Sequence, residues 1–222
     1  MQDFSLDGKN AFVIGGTGGI GLQIAYLLEK SGSVVTVAGR HGIEGGTSIK
    51  TVHVDFDKGP GELERGEIRE KLEKCDILVF TYGPFIQKPL HETKSCDWLK
   101  MAVDDYALPG IAVSSVLPGM MERKFGRILL FGGTRTFQIN PYRTNAAYAG
   151  AKTGISVIIK SISAEYGKHG ITCNGIFPGF TRNAPADCLL VEEKSVAIQA
   201  VSLMKSPDLN GVLLNVDKGW NP

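Results

Sequence analysis

Ala11-Phe12-Val13-Ile14-Gly15-Gly16-Thr17-Gly18-Gly19-Ile20-Gly21 decides how this chain folds. Four apolar residues have the length and composition of a buried strand, and they stop at a run of glycines. Beyond the glycines, Ile20, Ile24, Leu27 and Leu28 recur at helical spacing, so Gly21–Ser31 reads as a helix. The unpaired N–H groups and the dipole at the start of such a helix attract an anion, and glycines let the backbone turn tightly against it. Two registers fit a dinucleotide pyrophosphate, GxGxxG from Gly16 and GxxxGxG from Gly15. A lone glycine motif is weak evidence, but the strand before it and the helix after it supply the required context. The stretch predicts a dinucleotide site made by Gly15, Thr17, Gly18, Gly19, Ile20 and Gly21, with a ligand-free tight turn as the structural alternative.

Downstream, the same alternation repeats. Strands are expected at Val34–Ala38, Thr51–Val54, Ile77–Phe80, Arg127–Phe131, Ile171–Phe177 and Gly211–Val216. Helices are expected at Glu62–Lys74, over Ser95–Arg123 with breaks or kinks at Pro109 and Pro118, at Asn145–Lys168 and at Val191–Met204. Strands alternating with helices imply a parallel sheet covered on both faces, and the nearly all-apolar strands suit burial on both sides. The expectation is an α/β, Rossmann-type, doubly wound sheet of about seven strands in one domain over residues 1–222. No repeat, low-complexity tract or linker divides the chain.

The second strand ends at Val37-Ala38-Gly39-Arg40-His41. An NAD-selective site normally places an acid here for the ribose 2′-hydroxyl. None is present, and Arg40 offers a guanidinium fork that suits a 2′-phosphate, so NADP(H) is the expected cofactor. Asp55 and Phe56, closing the third strand, are placed beside the adenine; Asp55 fits equally well as a cap for whatever follows.

The totals exclude other classes. In 222 residues the net charge is +1, so no global field favours nucleic acid or an anionic membrane. No run approaches the length of a membrane span and no targeting segment is read at the N-terminus. The four cysteines form no CxxC pair and have no histidine at ligand spacing, which argues against a disulfide framework or a zinc site and for a reducing, cytoplasmic setting.

Three further stretches make the chain resemble the short-chain dehydrogenase/reductase family, in particular its 3-oxoacyl-reductase-like members. Tyr148-Ala149-Gly150-Ala151-Lys152 matches the family's YxxxK. Asn174-Gly175-Ile176-Phe177-Pro178-Gly179-Phe180-Thr181 matches the segment after its sixth strand, and Asn210–Gly219 its C-terminal strand. The resemblance implies that Tyr148 exchanges a proton with the substrate oxygen. It implies that Lys152 binds the nicotinamide ribose and lowers the tyrosine pKa, and that Gly83, Pro178, Gly179 and Thr181 line the cofactor. Four residues apart, Tyr148 and Lys152 share one helix face. It also implies a small-molecule carbonyl or alcohol substrate, and a homodimer or homotetramer through Ser95–Met121, Asn145–Lys168 and Gly211–Val216.

The chain departs from the family where chemistry is done. Aligned on the fifth strand, Gly133 stands where the family has its catalytic serine, leaving Thr134 as the replacement hydroxyl and Thr136 as a second candidate. The family's relay asparagine follows a valine; here the pair reads Val103-Asp104. Phe80-Thr81-Tyr82-Gly83 keeps only the glycine of the family's NNAG. The expected activity is NADP(H)-dependent interconversion of a carbonyl and a hydroxyl group. The competing reading is a nucleotide-binding regulatory protein with little turnover. In either case the nicotinamide face is expected to open toward Thr134, Tyr82 and the Pro178–Thr181 loop.

Overall fold

The computed structural model describes residues 5–43, 46–182 and 188–219. Seven strands form one all-parallel sheet: β1 (Asn10–Ile14), β2 (Val34–Gly39), β3 (Lys50–His53), β4 (Ile77–Phe80), β5 (Gly126–Phe131), β6 (Ile171–Pro178) and β7 (Leu213–Val216). Their order across the sheet is β3-β2-β1-β4-β5-β6-β7.

The strands are apolar throughout because each feeds two cores. Successive side chains point to opposite faces. Phe12, Ile14, Leu78, Phe80, Ile128 and Leu130 therefore face one way, and Ala11, Val13, Ile77, Val79, Leu129 and Phe131 the other. The first face is covered by α2 (Gly66–Glu73), α4 (Leu108–Arg123) and α5 (Ala146–Tyr166), which contribute Leu72, Val116 and Ile159. The second is covered by α1 (Gly19–Lys30) and α6 (Glu193–Lys205), which contribute Ile24, Leu28, Ala197 and Met204.

The winding reverses between β1 and β4. Parallel strands that diverge from such a point leave a crevice beyond their carboxyl ends, where ligands of doubly wound sheets bind. The glycine turn after β1 and the segment after β4 meet there. The Ile14 carbonyl accepts from the backbone N–H of Thr81 at 2.8 Å, from that of Tyr82 at 3.2 Å and from the Thr81 hydroxyl at 3.0 Å.

Two helical expectations are corrected. Glu62–Lys74 is not one helix: a 3-10 segment, Pro60–Glu64, is separated from α2 by extended Arg65, and Gly66 opens α2 at φ +51°. Pro118 does not interrupt Ser95–Arg123 and is carried inside α4 on the exposed side, whereas Pro109 directly follows the one irregularity, as the second residue of α4. The irregularity is a π-helical turn, Val103–Ala107, joining α3 (Ser95–Ala102) to α4. It widens the helix by one residue per turn, and insertions of this kind commonly sit at functional sites.

Candidate active site

The glycine turn is shaped by close backbone approach. Gly15 adopts φ +84°, and a Cβ there would lie 2.6 Å from the Tyr82 nitrogen and 2.8 Å from the Thr81 hydroxyl. A Cβ on Gly21 would run into the Gly15 carbonyl, so the helix passes over the turn only because position 21 is bare. Gly18 caps α1 in extended conformation with no side chain on the free N–H groups and no acid in the first turn. Open space surrounds it. An uncapped helix start beside an open glycine face fits a pyrophosphate. Thr17 packs against Gly39 and Ile20 against the α1–α6 core.

At the end of β2, Arg40 is largely exposed, with Nη1 3.8 Å from Asp57 Oδ2. A contact that long between two exposed groups adds little and leaves the fork free to bind phosphate. Asp55 is the cap that its second reading expected: its Oδ1 accepts from the Asp57 N–H at 3.2 Å. The Phe56 side chain belongs to the core and lies 4.7 Å from the Tyr82 ring, so only its backbone remains to meet a nucleotide.

Tyr148 and Lys152 project from α5 toward the end of β5. Lys152 is buried, and its Nζ donates to the Phe131 carbonyl at 3.2 Å and lies 6.0 Å from the centre of the Tyr148 ring. The Tyr148 ring meets Phe85 edge-on at 4.9 Å. Among the described residues nothing hydrogen-bonds its hydroxyl. At Gly133, the position aligned with the family's serine, a Cβ would lie 2.7 Å from the Tyr148 oxygen. Thr134 lines the cleft, but its hydroxyl donates to the Pro178 carbonyl at 3.0 Å. Thr136 is fully buried, exchanging hydrogen bonds with the Gly133 N–H (2.8 Å) and carbonyl (3.0 Å). Pro178, Gly179 and Thr181 form the opposite wall.

Two expectations change. Tyr82 turns away from the cleft, its hydroxyl donating to Asp104 at 3.3 Å, and Phe85 and Gln87 take its place on the wall. Asp104 does not meet the YxxxK lysine. It is tied to Lys100 at 2.9 Å, which also holds Asp57 at 3.0 Å. The carboxylate that reaches Lys152 is its neighbour Asp105, fully buried, with Oδ1 2.9 Å from Nζ. Asp105 Oδ2 has no hydrogen-bond partner among the described residues. Gly83 lies directly over this pair, and a side chain there would collide with both. The signal in the sequence was two adjacent acids inside an otherwise apolar stretch; the π-helical turn aims one outward to Lys100 and the other inward to Lys152.

Burial raises the Asp105 carboxyl to about 6, against the pull of Lys152. Burial also holds the Tyr148 phenol above its usual range, and the Asp105 charge pushes it further the same way. The lysine that would draw the phenol down is therefore partly cancelled by its own partner.

A family model described as short chain dehydrogenase matches residues 9–190, which include the glycine turn and the Tyr148–Lys152 pair. The chain belongs to the short chain dehydrogenase family. It is 28% identical over 207 residues to the 3-oxoacyl-[acyl-carrier-protein] reductase FabG of Rickettsia typhi, covering 91% of this chain and 84% of that protein. It is 27% identical over 252 aligned positions to the 2-dehydro-3-deoxy-D-gluconate 5-dehydrogenase of Pseudoalteromonas atlantica, covering 99% and 98%. A structure from Agrobacterium tumefaciens, described as a 2-deoxy-D-gluconate 3-dehydrogenase with bound NADP, superposes with a TM-score of 0.84 at 22% identity, over 99% of each chain. The expected fold and family are thus borne out, and the named relatives are oxidoreductases of hydroxyl and carbonyl groups.

Proposed function

We propose that this protein is an NADP(H)-dependent oxidoreductase that interconverts a carbonyl and a hydroxyl group on a small molecule. The observation that carries the reading is the placement of Tyr148 and buried Lys152 on one side of α5, at the mouth of a cleft of about 1060 Å³ beyond the carboxyl ends of the sheet. A bound nicotinamide supplies the hydride. Tyr148 gives its proton to the substrate oxygen in reduction and takes it back in oxidation. Lys152 holds the cofactor ribose and sets the charge around the phenol. Arg40 favours the 2′-phosphate, and the neighbour solved with NADP supports that choice without fixing it. Thr134 is the wall hydroxyl left to bind the substrate oxygen, in exchange for its bond to Pro178.

The test is NADPH oxidation on a panel of ketones and aldehydes. Tyr148→Phe should remove nearly all turnover while leaving NADPH affinity within about threefold, because only the proton donor is lost. Thr134→Ala should lower turnover by ~10²-fold, the cost of one oxyanion-type donor; a drop under tenfold reassigns that bond to backbone or water. A parent that binds NADPH and reduces nothing would favour the second reading, a nucleotide-binding regulatory protein. The specific observation behind that reading is the neutralisation of Lys152 by Asp105.

Among the described residues no helix is long and apolar enough to cross a membrane. All four cysteines are free thiols, in keeping with the proposed cytoplasmic setting. We also propose a homo-oligomer through α4 and α5, whose outer faces expose Tyr106 from the adjoining turn and Val157.

A further inference from the structure

The cleft beside Tyr148 is basic. Arg135, Arg143 and Arg182 line it, and no aspartate or glutamate does so among the described residues. Arg182 already has a partner, since its Nη2 lies 2.7 Å from Glu193 Oε1. Arg135 and Arg143 make no ion pair with the described residues. Arg135 stands apart in two ways. Its Nε is buried without a hydrogen bond, and its backbone sits at φ +64°, a left-handed conformation that costs a residue with a Cβ about 1 kcal/mol or more. The surrounding loop holds it there: the Asn140 amide donates to the Arg135 carbonyl at 3.0 Å, and the Thr134 hydroxyl ties the preceding residue to Pro178. A buried donor left unpaired is costly, and a strained backbone persists only where its surroundings enforce it.

We infer that the cleft takes carbonyl substrates carrying an anionic group of their own, a carboxylate or a phosphate, received by Arg135 and Arg143 while the carbonyl faces Tyr148. A guanidinium presents paired N–H donors that match either group, and Arg135 and Arg143 line the cleft with no acid beside them among the described residues. The oxygen anion is the shared chemistry, and it selects among carbonyl compounds by charge. This assignment rests on the oxidoreductase reading above.

The experiment compares matched substrates in NADPH-dependent reduction: 3-oxobutanoate against its methyl ester, and dihydroxyacetone phosphate against dihydroxyacetone. The charged member of at least one pair should show a KM lower by about 10- to 100-fold, the range of one or two charge-assisted bonds. The pair that responds identifies carboxylate or phosphate. Arg143→Gln, at an exposed position, and Arg135→Gln should each raise KM for the charged member and bring the ratio toward one. Arg135→Lys should recover only part of the preference, because it keeps the charge and loses the fork. Melting curves and NADPH titrations identify any variant that has lost its fold. Equal or better use of the neutral members overturns the inference and leaves the oxidoreductase reading standing. No reduction of any of the four removes support from the oxidoreductase reading instead. Calorimetric titration with malonate and with inorganic phosphate, with and without NADP, then decides. Saturable binding weakened in Arg143→Gln upholds the anion site; no saturable binding overturns it.

Discussion

Replacing Asp105 by asparagine should move the proton equilibrium of Tyr148 without touching Tyr148. Lys152 Nζ lies 6.0 Å from the centre of the tyrosine ring. At an effective dielectric of about 20, a unit charge is worth about 2.8 kcal/mol, or roughly 2 pH units, on a charge about 6 Å away. Asp105, 2.9 Å from the same ammonium, returns much of that effect. Asp105→Asn removes the negative charge and keeps the positive one, so the Tyr148 pKa should fall by about 1 to 2 units. The alkaline limb of kcat/KM for carbonyl reduction should move down by the same amount. Tyrosinate absorbance, taken as the difference between each protein and its Tyr148→Phe counterpart, gives the same answer without turnover. The parent should also show an inflection near pH 6, where Asp105 takes up its proton, and the variant should lack it. Stability carries the same signature. The folded carboxyl, at about 6 against an ordinary value of 3.8, binds its proton more tightly than the unfolded one. Its contribution is therefore greatest in acid and is lost as pH rises through 6. The full shift is about 3 kcal/mol, of which about 2 kcal/mol falls between pH 4.5 and 7. Urea unfolding of parent and variant at those two values isolates this slope. Superimposable pH profiles and equal slopes would refute the coupling of Asp105 to Lys152 and Tyr148.

Arg40→Ala should weaken NADPH binding by about 10- to 100-fold and leave NADH almost unaffected, as read by nicotinamide fluorescence; equal losses for both cofactors would mean that Arg40 does not read the 2′-phosphate. Val157→Glu puts a charge on the exposed side of α5 and should shift light scattering from a multiple of the chain mass toward the single chain; a parent that is already monomeric at micromolar concentration overturns the assembly proposal.

The sheet could be read in the sequence because its signals are local. Most strands are short apolar runs ended by glycine, proline or charge, and every crossover but that from β2 to β3 carries a helix, so all seven strands lie within two residues of their expected starts. The helical pattern over Ser95–Arg123 was equally visible. Its irregularity was legible only in part, because Pro109 follows the turn at Val103–Ala107 by two residues, while Pro118 is tolerated inside α4 and no residue within the turn marks its π-helical form. That turn decides which acid meets Lys152, so the pairing with Asp105 lay beyond a reading by motif. The hydroxyls followed the same rule. The glycine at position 133 was plain, but the partners of Thr134 and Thr136 depend on carbonyls brought together by the fold, one of them 44 residues away.

Gly133 also limits what a single substitution can do at the site. The room that a serine would need is not empty; the tyrosine ring fills it, to within 2.7 Å of where a Cβ would stand. Gly133→Ser is then no simple addition of a hydroxyl. The hydroxymethyl group must displace the ring that it is supposed to assist, and that ring is wedged against Phe85 at 4.9 Å. One substitution at position 133 therefore cannot seat a hydroxyl beside Tyr148 while the ring stays in place. Seating it requires position 133 and the wall at position 85 to change together.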